Sequence, residues 1–93
     1  MQHIQRAIVT GAGSGIGRAT ALLLASRGIH VLVTDINADA AARVSGEIRQ
    51  AGGTALPLQV DVRHDAARMV AYAVEQLGGV DILVNNAGVF YPA

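Results

Sequence analysis

The run TGAGSGIG, Thr10 to Gly17, sets four glycines among small residues directly after the apolar stretch Ala7, Ile8 and Val9. Asp35 follows roughly twenty residues later, at the distance where a nucleotide site needs an acid. Asp61 and Val62 come next, and the string NNAG occupies Asn85 to Gly88. A glycine loop between a strand and a helix can hold a phosphate. The first N–H groups of a helix have no partner inside it and carry partial positive charge. Glycine lets the backbone approach a ligand and take positive φ. Gly11 is expected to make the turn, and Gly13, Ser14, Gly15, Ile16 and Gly17 to complete the cradle. Gly17, inside the first helical turn, costs about 1 kcal/mol against alanine. Close helix–sheet packing or ligand approach should compensate. The dinucleotide spacing G-x-G-x-x-G does not fit, because it needs glycine where Ile16 or Arg18 stands. Without a ligand the same residues read as a flexible turn.

Asp35 supplies the second half of the chemistry. A carboxylate at the end of the second strand can accept from both hydroxyls of an adenosine ribose. It also repels a 2′-phosphate, by roughly 3–4 kcal/mol per unit charge at an effective dielectric near 20, before screening. Ser14, Ile36 and Asn37 offer that phosphate no basic side chain. NAD is therefore the expected cofactor, in preference to NADP. Alternatively, Asp35 only caps the second helix or its turn. Asp61 suits an N-cap equally well, and NNAG suits a turn on its own chemistry.

These residues must be brought together by the elements between them. Short continuous apolar runs at 7–9, 31–33, 55–60 and 82–84 read as strands covered on both faces, as in parallel sheets. A first helix is expected from Gly15 toward Gly28, with Ile16, Thr20, Leu23 and Leu24 inward. A second follows Asn37 with the stripe Ala41, Val44, Ile48 and Ala51. A third carries Ala66, Met69, Val70, Ala73, Val74 and Leu77 and stops at Gly78. The order β-α-β-α-β-α-β predicts an α/β, Rossmann-like doubly wound parallel sheet. Pro57 cannot donate to a ladder, which favours strand order 3-2-1-4 with the third strand at an edge. Right-handed crossovers then put the first two helices on one face and the third on the other.

The spacing Thr10-Gly11, Gly15, Gly17 fits T-G-x-x-x-G-x-G, and here the chain resembles the short-chain dehydrogenase/reductase family. NNAG is a string of that family and the most specific match. The resemblance implies that Asp61 contacts the adenine amino group and that the Val62 backbone holds the ring. It implies that Asn85 and Asn86 tie the central strands together. Ala87 and Gly88 would let the cofactor ribose approach. The likeness runs from Arg6 to Gly88 and matches the first half of the family's domain.

The family's chemistry also needs a Ser and a Tyr-x-x-x-Lys pair, in which Lys lowers the Tyr pKa for proton exchange with the substrate oxygen. This chain has no Lys; Tyr72 is followed four residues on by Gln76, and Tyr91 lies near the end. The expectation is an NAD-binding, N-terminal portion, inactive alone, truncated after the fourth strand and exposing an apolar edge that invites self-association. A non-catalytic nucleotide- or partner-binding half-domain is the alternative, and a Rossmann-like methyltransferase a weaker one. The full-length parent is expected to be a homo-oligomer.

Composition narrows the classes further. The 93 residues are 52% apolar and 15% charged with zero net charge, which suits a packed core and gives no reason to expect nucleic acid or a membrane as partner. There is no cysteine for disulfides or thiolate metal sites. The start, MQHIQRAIVTG, leaves no room for a leader, so the cytosol is the expected location.

Overall fold

A computed structural model describes residues 3–86 of the chain. Seven elements follow one another: β1 (Arg6–Val9), α1 (Gly15–Ser26), β2 (His30–Asp35), α2 (Ala38–Gln50), β3 (Ala55–Gln59), α3 (Val62–Leu77) and β4 (Ile82–Val84). All strand pairs are parallel, and the sheet order is β3-β2-β1-β4. This is the doubly wound arrangement that the alternation of runs and helices predicts. Pro57 lies opposite Val33 on the edge strand, where its missing N–H costs nothing.

The central strands β1 and β2 are apolar on both sides because each side meets a helix. Val9, Val31, Val33 and Ala55 pack with α1 and α2 through Ala21, Ala25, Val44 and Ile48. Ile8 and Leu32, pointing the other way, pack with Met69 and Ala73 of α3. α1 and α2 thus share one face and α3 takes the other, as right-handed crossovers require.

Two helix faces differ from the sequence expectation. On α1 the buried residues are Gly17, Ala21 and Ala25, whereas Ile16 is 78% exposed and Leu23 54%. Small residues at i, i+4 and i+8 let the helix lie close to the sheet, and the larger apolar side chains turn away. On α3, Met69 and Ala73 are buried and Leu77 packs beside them, but Ala66, Val70 and Val74 are exposed. The third helix touches the sheet along one narrow strip rather than a full face. On α2 the stripe holds, except that Ala51 is the exposed C-cap and Ser45 joins the buried side. β4 pairs only with β1 among the described residues, and Leu83 is 54% exposed.

The N-terminal end of the sheet is fastened by Asp81. Its carboxylate accepts from the Arg6 backbone N–H (2.8 Å), from Arg6 Nε (3.0 Å) and from His3 Nε2 (3.3 Å). The Arg6 amide, then its guanidinium and His3, bring the Asp81 carboxyl down to about 2. A carboxylate with a depressed folded pKa stabilises fully above its unfolded value and loses that contribution as pH falls toward the folded value. Melting temperature should therefore drop between pH 4 and pH 2 partly through Asp81. In Asp81→Asn that acid limb should be flatter; a limb as steep as the parent's would remove Asp81 from the account.

Candidate cofactor site

The carboxyl ends of all four strands lie at one end of the sheet, and the singled-out residues gather there. Thr10 N–H donates to the Val84 carbonyl (3.0 Å) and Ala12 N–H to the Thr34 carbonyl (2.8 Å), which hangs the glycine loop from both neighbouring strands. Gly11 and Gly15 adopt φ of 61° and 59°, the left-handed region that disfavours side chains. Gly13 and Gly17 are glycine for a different reason. A Cβ on Gly17 would collide with the Gly11 carbonyl oxygen and sit 2.8 Å from Asn86 Nδ2. A Cβ on Gly13 would sit 2.6 Å from Ala40 Cβ and 2.8 Å from Asp35 Oδ2. Close approach within the protein, rather than ligand approach, is thus enough to compensate for Gly17's poor helix propensity.

The start of α1 contrasts with the other two helices. α2 is capped by Asn37, whose side chain accepts from Ala40 N–H, and α3 by Asp61, which accepts from Arg63 N–H. Ser14 at the start of α1 makes no side-chain cap bond, and no acid occupies the first turn. Ser14, Gly15 and Ile16 are exposed. The helix dipole and its leading N–H groups therefore face outward, ready for an anion from solution.

Asp35 stands beside this loop. Its Oδ2 accepts from Gly13 N–H (2.9 Å) and its Oδ1 from Asn37 N–H (2.9 Å). A carboxylate offers about four lone-pair sites. One remains on each oxygen, which suits two adjacent hydroxyls. Ile36 next to it is 60% exposed and presents an apolar surface.

Val60 N–H donates to the Asp35 carbonyl (3.0 Å), so the turn into α3 runs alongside. Asp61 there does cap α3, and Arg63 occupies both of its oxygens, through Nε to Oδ1 (3.1 Å) and Nη2 to Oδ2 (3.0 Å). Arg63, through its guanidinium and then its amide, holds the Asp61 carboxyl below the usual carboxylate range. Val62 begins the helix and is half-buried.

At the end of β4, Asn86 Nδ2 donates to the Gly11 carbonyl (3.2 Å), and Thr10 Oγ1 donates toward Asn85 Oδ1 (3.3 Å). Both asparagines thus tie the last strand to the start of the loop. Ala87, Gly88 and Tyr91 lie outside the described residues. The Arg18 guanidinium bonds away from the loop. It forms a two-pronged pair with Glu47 of α2, Nε to Oε1 (2.9 Å) and Nη2 to Oε2 (2.7 Å), which clamps α1 to α2. Sequence reading missed the Gly13–Asp35 bond and the Arg18–Glu47 clamp; neither leaves a periodic signal. Among the described residues no group of three metal-binding side chains exists, and no helix is long and apolar enough to cross a membrane.

The family model described as short chain dehydrogenase matches residues 5–93. This chain belongs to the short chain dehydrogenase family. Among curated members, it is 49% identical over 84 residues to a 7alpha-hydroxysteroid dehydrogenase of Escherichia coli (strain K12), covering 88% of this chain and 33% of that one. A cyclohexanol dehydrogenase of Acinetobacter sp. (strain SE19) is 45% identical over 85 residues, covering 89% and 34%. The chain spans about a third of the length of these relatives. A solved hydroxysteroid dehydrogenase from Escherichia coli superposes with a TM-score of 0.88 at 47% identity, over 95% of this chain and 38% of that one. A 7 alpha-hydroxysteroid dehydrogenase solved with NADH and 7-oxo glycochenodeoxycholic acid superposes with a TM-score of 0.85 at 46% identity, over 87% and 32%. The family's nicotinamide-cofactor chemistry is thus represented among close structural relatives of this short chain dehydrogenase sequence.

Proposed function

We propose that this chain is the NAD-binding portion of an oxidoreductase that moves hydride between nicotinamide and an alcohol or carbonyl. The observation that carries it is Asp35, with one open lone pair on each oxygen, set beside the uncapped start of α1. The adenosine ribose would lie on Asp35 and Ile36, the pyrophosphate on Gly13 to Gly17, and the adenine near Asp61 and Val62. Asn86, Ala87 and Gly88 would border the nicotinamide ribose. Bound nicotinamide supplies the hydride donor or acceptor. The residues of this chain hold and orient it, and no side chain here is assigned to proton transfer. A cytoplasmic location, a homo-oligomeric full-length protein and self-association through the β4 edge complete the proposal.

The test is a fluorescence titration of the chain with NADH. Saturable binding that Asp35→Ala weakens is expected, with no turnover of alcohols or carbonyls, since the chain has no Lys for the family's Tyr-x-x-x-Lys pair. A folded chain with no NADH binding would sink the reading. Sedimentation across a concentration series reads the edge: a monomer at every concentration removes β4 as a contact.

A further inference from the structure

We infer that the Gly13 amide positions the Asp35 carboxylate, so that residue 13 sets how well the chain separates a free ribose from a 2′-phosphorylated one. The inference rests on the NAD reading. Gly13 is not among the three glycines that the spacing T-G-x-x-x-G-x-G requires. Its backbone is outside the positive-φ group, so conformation alone would admit other residues. What excludes a side chain is a wall on two sides: a methyl carbon at position 13 would lie 2.6 Å from Ala40 Cβ and 2.8 Å from the Asp35 carboxylate.

The two walls respond differently. Ala40 is anchored in the first turn of α2, where its N–H donates to Asn37 Oδ1 (3.0 Å). The Asp35 carboxylate is the free end of a rotatable side chain. A methyl at position 13 therefore displaces the carboxylate and breaks its 2.9 Å bond from the Gly13 N–H. The open lone pairs then no longer point where a diol would meet them. Misplacing one hydrogen bond to a charged group lowers affinity roughly tenfold or more. NADH should suffer this loss and NADPH much less, because its 2′-phosphate gains nothing from that carboxylate.

The experiment compares NADH and NADPH binding by fluorescence in the parent, in Ala40→Gly, and in Gly13→Ala combined with Ala40→Gly. The double variant removes the methyl–methyl overlap and keeps the overlap with the carboxylate. Ala40→Gly alone should keep the parent's preference, and the double variant should lower it about tenfold. An unchanged preference in the double variant, or an equal loss for both cofactors, overturns the proposal. A parent that binds no NADH strikes the NAD reading instead. In that case, or if the double variant does not fold, the Gly13 amide resonance decides. It should move in Asp35→Ala, which removes the acceptor of the Gly13 N–H; an unmoved resonance overturns the pairing.

Discussion

Replacing Gly17 with alanine lowers stability by about 2 kcal/mol, although alanine is the better helix former. The helix term alone favours alanine by about 1 kcal/mol. Against it stands the new methyl, which would overlap the Gly11 carbonyl oxygen and press on Asn86 Nδ2. Overpacking costs about 1–3 kcal/mol, and a backbone oxygen held in a turn belongs at the upper end of that range. For a domain of this size, 2 kcal/mol is a fall of roughly 10 °C in melting temperature. Gly46 makes the internal comparison. It lies inside α2, has no positive φ, and nothing lies within 4 Å of the position its Cβ would take. Gly46→Ala should raise stability by about 0.5–1 kcal/mol. Thermal melts of the two variants thus move in opposite directions. A Gly17→Ala chain as stable as its parent would mean that α1 can retreat from the loop.

The second large effect is on cofactor choice. Asp35→Ala combined with Ile36→Arg should move the ratio of NADPH to NADH affinity by about a hundredfold or more toward NADPH. Removing the carboxylate lifts a repulsion of roughly 3–4 kcal/mol per charge before screening, and the arginine adds attraction at an exposed position. Screening by salt reduces both, so the shift should shrink between 20 mM and 500 mM salt, a range over which the Debye length falls below about 10 Å. Dissociation constants for both cofactors, before and after the change, read it directly. Equal affinity for NADH and NADPH in the parent would remove Asp35 from the selection.

Much of the framework was legible in the sequence because periodicity and turn chemistry act locally. Continuous apolar runs located the four strands, and Pro57 identified an edge, but cover on both faces holds for β1 and β2 and not for β4, where Leu83 is exposed. Asn37 announced the start of α2. The inward faces of α1 and α3 were less legible. Counting apolar residues assigns Ile16, Leu23, Val70 and Val74 to the core, yet distance to the sheet decides, and on α1 the close approach selects Gly17, Ala21 and Ala25. At the site, residue types indicated an acid beside a glycine loop. They did not indicate that Gly13 binds that acid, or that Arg63 already covers Asp61. Those partners lie across turns whose geometry no one-dimensional spacing encodes.

The pairing of β1 with β4 has a consequence for how the chain is made. β1 meets β2 through a short crossover, but its other side waits for Ile82 to Val84. At ordinary rates of about 5–20 residues per second, that wait lasts roughly 4–15 s of synthesis. During it, β1 has an open side, and the Gly11 carbonyl lacks its Asn86 partner. The glycine loop is made early within the described sheet and finished late, because the strand that fixes its base is made after everything else in that sheet. A nascent chain paused before residue 82 holds three strands with an unpaired apolar flank, the state in which chaperone capture or pairing with a neighbouring chain competes best with folding.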